Sequence, residues 1–148
     1  SIPGLGNAEF LRYGSIHRNS YLNAPAALTP HLGTRDEPRL MFAGQLTGVE
    51  GYTESSATGL LAGINLDRQL RGEAPVVPPT TTMLGALYRY LREADPRHFQ
   101  PMNANFGLVD DLESPPRDKD TRRAAYATRA LEHVRAWIEA EGLAGVAV

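Results

Sequence analysis

The chain has 148 residues, a formal net charge of -2 at pH 7, four histidines and no cysteine. That length suits one domain able to bury most of its apolar side chains. The near-neutral charge gives no global attraction to a polyanion, and the lack of cysteine excludes disulfides, thiolate metal sites and a thiol nucleophile within these residues. No apolar run is long enough to span a bilayer and no secretory leader pattern opens the chain, so a cytoplasmic location is expected. The histidines are scattered without ligand spacing to carboxylates, so no metal site is expected.

The opening Ser1-Ile2-Pro3-Gly4-Leu5 lacks both an initiator Met and an early phosphate-binding glycine motif, which suggests a fragment. Turn residues follow at Gly6-Asn7, and Arg12 to Leu22 alternates loosely enough for a half-buried strand, with His17-Arg18-Asn19 inside it. Ala24 to Pro38 shifts to Pro, Gly, Thr and charge; Pro25 to Leu28 reads as an exposed connection and His31 as a solvated residue.

Leu40 to Ala43 is a short apolar run best read as a buried strand, and Gly44, Gly48 and Gly51 then break it with residues that tolerate positive φ. Thr53, Glu54, Ser55 and Ser56 supply cap and first-turn residues for a helix from about Ser55 to Leu70, closed by Gly72. Ser55, Gly59 and Gly63 recur at i+4 and make one smooth helix face. Strand, glycine loop and helix start together present backbone N–H groups and a positive dipole end to a phosphate or ring carbonyl. A glycine-rich turn with tight packing and no ligand explains the same residues, because the spacing is not GxGxxG.

Glu73 to Pro79 is an extended, proline-rich connection. Thr80, Thr81 and Thr82 offer cap oxygens for a second helix over Met83 to Ala94, with a core stripe of Leu84, Leu87, Tyr88 and Leu91. Phe99 to Glu113 reads as an irregular covering loop. Pro115-Pro116 then precede a terminal helix from about Asp120 to Glu141, with Ala127, Leu131, Val134 and Ile138 on its apolar face, widened by Ala124, Ala130 and Trp137. Arg122, Arg123 and Arg129 lie on its charged side, where a solvated face and an RNA-facing patch are both open readings.

The string from Phe42 to Asn65, FAGQLTGVEGYTESSATGLLAGIN, resembles the C-terminal FAD-contacting segment of the folate- and FAD-dependent tRNA (uracil-5-)-methyltransferase family, the TrmFO flavoproteins. His17-Arg18-Asn19, Pro75 to Pro79 and the string QPMNANFGL from Gln100 to Leu108 extend the likeness in collinear order. Related flavoproteins that modify the wobble uridine share the loop; GVEGY with QPMNANFGL points to the methyltransferases.

The resemblance implies an α/β or α+β fold: the C-terminal portion of an FAD-binding Rossmann-like flavoprotein, a few strands and about three helices. Residues 1–72 would complete the FAD domain and residues 73–148 would form a helical extension packed on it. It implies a full-length enzyme that methylates C5 of a T-loop uridine in tRNA, with methylenetetrahydrofolate as carbon donor, reduced FAD, and NADH or NADPH as reductant. Gly44, Gln45, Gly48, Glu50, Gly51, Tyr52, Ser55, Ser56 and Ala57 would contact the cofactor on its flavin-ring side. Arg18, Asn19, Tyr52, Arg122, Arg123 and Arg129 are the candidates for folate or tRNA. No catalytic residue is expected here, since the family's cysteines would lie upstream, and the isolated chain is expected to be inactive. The alternatives are part of a wobble-uridine modifier, or a non-catalytic module that binds tRNA or packs on a flavin domain. The expected partners are tRNA and the upstream part of the same protein.

Overall fold

The computed structural model describes residues 20–37 and 39–146, with Pro3, Gly6, Asn7 and Glu9 upstream. Four α-helices, α1 (Ala24–Ala27), α2 (Tyr52–Leu70), α3 (Met83–Glu93) and α4 (Lys119–Ala140), alternate with irregular segments and with 3-10 turns at Gly44–Thr47 and Leu143–Val146. Among the described residues, isolated β-bridges pair Leu28 with Thr34 and Gly33 with Met41 antiparallel, and Val49 with Met102 in parallel. The described residues are therefore mixed helical with little strand.

The buried strand expected over Leu40–Ala43 is reduced to the bridge at Met41. Two backbone bonds tie it to the preceding turn, from the Thr34 amide to the Leu40 carbonyl and from the Phe42 amide to the Leu32 carbonyl. Leu40 is 47% exposed, so this run is not a buried strand here. Most of the strand expected over Arg12–Leu22 lies outside the described residues.

The exposed connection expected over Pro25–Leu28 is instead helical, with Ala24 and Leu28 both buried. Proline at the first turn of a helix loses no bond that the helix would have made, which lets this short turn form. His31, expected in solvent, is half-buried, and that burial holds its pKa below the ordinary imidazole value.

One core gathers Ala24, Leu28, Leu32, Val49, Leu61, Leu87, Tyr88, Leu91 and Phe99, so it draws on residues from both sides of Gly72. α3 runs through its centre with Leu87, Tyr88 and Leu91 at most 1% exposed, as the apolar stripe predicts. The Tyr88 hydroxyl is buried without a hydrogen-bond partner among the described residues, and burial pushes its pKa up.

α3 begins where Thr82 Oγ1 accepts from the Gly85 amide at 3.0 Å, and Gly85 presses on the proline run so closely that any Cβ there would strike the Pro79 carbonyl. The proline run is fixed to α2 by Asn65, fully buried, whose amide accepts from Val76 N–H at 2.7 Å and donates to the Val76 carbonyl at 2.9 Å. A side chain thus stands in for a strand partner. α2 ends as the sequence predicts, with Gly72 at φ +75; the Gly72 amide bonds to the Gln69 carbonyl and the Glu73 amide to the Arg68 carbonyl, a Schellman closure.

α4 carries no buried residue among those described. Its expected apolar face is turned away from the body by about a quarter of a turn at 100° per residue. Leu131 is 58% exposed and Ala124 and Ala127 are exposed, while Tyr126, Arg129, Ala130, Val134, Trp137 and Ile138 are half-buried. Polar anchors explain the rotation. Arg129 donates to the carbonyls of Asp110 and Asp111, His133 Nδ1 lies 2.8 Å from Thr81 Oγ1, and Arg68 donates to the Glu141 carbonyl at 2.8 Å. The face chosen by Arg129, His133 and Glu141 wins over the one chosen by Leu131.

Candidate functional site

The chain leaves the Gly33–Met41 bridge through Ala43 and enters the 3-10 turn at Gly44. Gly44 has φ +63; its amide donates to Thr58 Oγ1 at 2.9 Å and its carbonyl accepts from Thr47 Oγ1 at 2.8 Å. Thr47 and Thr58 are fully buried; the Thr47 hydroxyl closes the turn on itself and the Thr58 hydroxyl ties it to α2. Gly48, at φ +85, lies under the Phe99 ring, where a Cβ would come within 2.6 Å. Two of the three loop glycines are thereby explained by packing within the chain.

Gly51 is different. Its φ of +99 swings the backbone directly into α2, which starts at Tyr52 and not at the expected Ser55. Because glycine makes this turn, the helix starts ahead of Thr53 and Ser55, which fall inside its first turn and do not cap it. No side chain caps this helix, and its first bond within the chain runs from the Ser55 amide to the Gly51 carbonyl. The amides of Tyr52, Thr53 and Glu54 thus form the helix N-terminus. The Glu54 side chain folds back over Gly51 and fills the space that a Cβ would take.

Among the predicted cofactor residues, Gln45 and Glu50 are exposed, Tyr52 is 96% exposed, and Ser55, Ser56 and Ala57 follow at the end of the first turn and the start of the second, with Ser56 Oγ donating to the Tyr52 carbonyl. A cleft of about 340 Å³ opens beside this turn, walled by Thr53, Glu54 and Ala57, by Met83 and Leu84 at the start of α3, and by Ala104. The QPMNANFGL segment reaches it through paired bonds, from the Met102 amide to the Gly48 carbonyl at 2.9 Å and from the Glu50 amide to the Met102 carbonyl at 3.0 Å. The two strings separated by more than thirty residues in sequence meet at one place.

Thr58, Met102 and Ala104 belong to this site and were not among its predicted residues. Thr58 carried a signal, since a polar residue between Leu61 and Ser55 on the inner side of a helix needs a buried partner. The largest cavity, about 840 Å³, lies at the other end of α2 between Gly59–Arg71 and Ala140–Leu143 and does not touch the glycine turn.

The candidates for folate or tRNA are not gathered at the cleft. Arg18 and Asn19 lie outside the described residues. Arg122 and Arg123 are exposed on α4, whereas Arg129 is half-buried, its guanidinium engaged by two carbonyls and 5.2 Å from the Tyr126 ring centroid.

The family model described as "Glucose inhibited division protein A" matches residues 1–74. The chain belongs to this family. Within the curated proteins it is 55% identical over 138 residues to "Methylenetetrahydrofolate--tRNA-(uracil-5-)-methyltransferase TrmFO" of Streptococcus agalactiae serotype Ia, covering 93% of this chain and 31% of that relative. The protein of the same name from Streptococcus pyogenes serotype M4 is 56% identical over 131 residues, covering 88% of this chain and 29% of the relative. That of Streptococcus suis strain 05ZYH33 is 51% identical over 138 residues, 93% of this chain and 31% of the relative. The chain thus spans about a third of the length of these curated relatives.

Proposed function

We propose that this chain is the C-terminal segment of a flavoprotein that methylates C5 of a T-loop uridine in tRNA in the cytoplasm, with methylenetetrahydrofolate as carbon donor and NADH or NADPH as reductant. The observation that carries this reading is the 55% identity over 138 residues to relatives named for that activity. In it the chain completes an α/β FAD domain whose dinucleotide-binding part lies upstream, together with the cysteines that activate the uracil.

The start of α2 fits an electron-rich ring edge. It is the one long helix of the described chain without a side-chain cap, and it follows a glycine that only a φ of +99 would require. When bound, FAD would supply the reducing equivalents for the one-carbon unit. The residues of this chain would hold and tune it. The amides of Tyr52, Thr53 and Glu54 would donate to the N1 and C2 carbonyl edge and favour negative charge there, as the helix dipole does for any anion. Glu54, now folded over Gly51, would turn aside. Tyr52, almost wholly exposed, would offer its ring face to the flavin or the pterin. The cleft beside α2, closed by Met83, Leu84 and Ala104, would keep water from that edge.

The test is purification of the complete polypeptide with its visible absorption recorded, followed by methyl incorporation into unmodified tRNA with folate donor and reductant. Flavin bands and methylation at C5 of the T-loop uridine are expected. A colourless, fully folded protein, or methyl transfer by the 148-residue chain alone, would contradict the reading.

A further inference from the structure

Phe106 projects from the loop before α4 with 46% of its surface exposed. A tight turn presents it: the Asn105 side chain accepts from the Gly107 amide at 3.0 Å, and the Leu108 amide donates to the Asn105 carbonyl. The ring lies 5.4 Å from that of Tyr126 at an interplanar angle of 60°. Arg129 supports Tyr126 from α4, with its own guanidinium fixed on the Asp110 and Asp111 carbonyls. The two rings are therefore set in place before any ligand arrives.

Two cavities meet at Phe106, Tyr126 and Arg123. The inner one, about 140 Å³, is apolar and runs between Met83, Val109 and Ala130. The outer one, about 370 Å³, is bounded by Pro115, Lys119 and Arg122. Among the described residues Lys119 and Arg122 have no ion pair, and Arg123 has only a long 3.8 Å contact with Asp120. The carboxylates nearby are partly spent: Asp118 caps α4 through the Thr121 amide, and Asp111 accepts from the Tyr126 hydroxyl at 3.4 Å. Flat aromatic faces beside a short row of cations suit one base and its phosphate. The interspersed acids Asp111, Asp118 and Asp120 disfavour a surface that tracks a duplex backbone.

We propose that the cleft between the Asn105–Gly107 turn and the first half of α4 binds one unpaired RNA nucleotide, its base stacked on the exposed Phe106 ring, which Tyr126 backs, and its phosphate held by Lys119, Arg122 and Arg123. The proposal rests on the reading of this chain as part of a tRNA-acting protein, and it reassigns Arg129 from phosphate contact to support of the stacking ring.

Fluorescence anisotropy of the complete, folded protein with a short single-stranded RNA, and with the same sequence in duplex, tests it. Stronger binding of the single strand is expected. Phe106→Ala should weaken it by about 5- to 160-fold, the range that loss of one base stack gives, while Phe106→Trp retains binding. Arg122→Gln with Arg123→Gln should lower the salt slope by about 1.4, or about 0.7 for each cation on single strands. Equal affinity for duplex, no binding at all, or an affinity and slope indifferent to these substitutions would overturn the slot. In the complete protein, normal flavin content and methylation with an unchanged KM for tRNA in Phe106→Ala would overturn the slot alone, whereas lack of flavin and methylation in the unsubstituted protein would overturn the wider reading.

Discussion

The start of α2 and the starts of α3 and α4 meet the same physical demand in opposite ways. Every helix begins with amides that have no partner in its own ladder. α3 satisfies one with Thr82 and α4 with Asp118, both from their own side chains. α2 has no such cap, and the residue in the cap position is a glycine in a conformation closed to other residues. The two capped helices are complete within the chain. The uncapped one leaves its first amides without a side-chain partner, and the rest of α2 is anchored through Thr58, Asn65 and its Schellman closure.

That contrast can be broken or sharpened by substitution. Asn65→Ala should have the largest effect, about 3 kcal/mol, because it leaves both the N–H and the carbonyl of buried Val76 without partners. An unfolding free energy from urea denaturation that changes by less than a third of this would mean that α2 is not anchored as described. Thr82→Ala should cost about 1 kcal/mol in the same measurement through loss of the α3 cap. Tyr52, at the uncapped start, should behave in the opposite way: Tyr52→Ala should leave stability within about 0.5 kcal/mol, as for other exposed sites, yet perturb the visible spectrum of bound flavin in the complete protein.

The loop at Asp110, held to α3 by its carboxylate, has its own pH signature. Asp110 receives the Thr80 hydroxyl and the Arg89 guanidinium, which hold its carboxyl below the ordinary carboxylate range. A depressed pKa contributes stability that is fully present above the unfolded value and is lost as pH falls through the folded one. Asp110→Asn should therefore cost less than about 1 kcal/mol at neutral pH, given its exposure, and flatten the loss of stability on the acid side. Thermal unfolding of both proteins across that range measures it, and parallel acid limbs would count against the account.

Local rules made the helices legible. The Leu84, Leu87, Tyr88, Leu91 stripe located α3, Thr82 its start, and Gly72 the end of α2. What failed to show depended on contacts made at a distance. The Leu40–Ala43 run has the composition of a strand, but a strand also needs neighbours, and among the described residues one bridge is all it finds. The apolar residues of α4 suggested a face around Leu131, yet Arg129, His133 and Glu141 reach partners far away in sequence and rotate the helix. α2 starts three residues ahead of the expected Ser55: Thr53 and Ser55 look like caps, while Gly51 at positive φ lets the chain enter the helix before them. At the candidate site the glycines were visible, but their division of labour was not: Gly44 and Gly48 serve packing, and Gly51 opens the helix end.

The central claim, that the uncapped start of α2 faces the flavin ring, is tested most directly by the reduction potential of the bound flavin in the complete protein with Glu54→Gln. Removing a negative charge next to the Tyr52–Glu54 amides should raise the potential by on the order of 20 mV, the equivalent of about 1 kcal/mol for a two-electron couple, while Glu132→Gln on the outer side of α4 should leave it unchanged. Identical potentials in all three proteins would contradict the account.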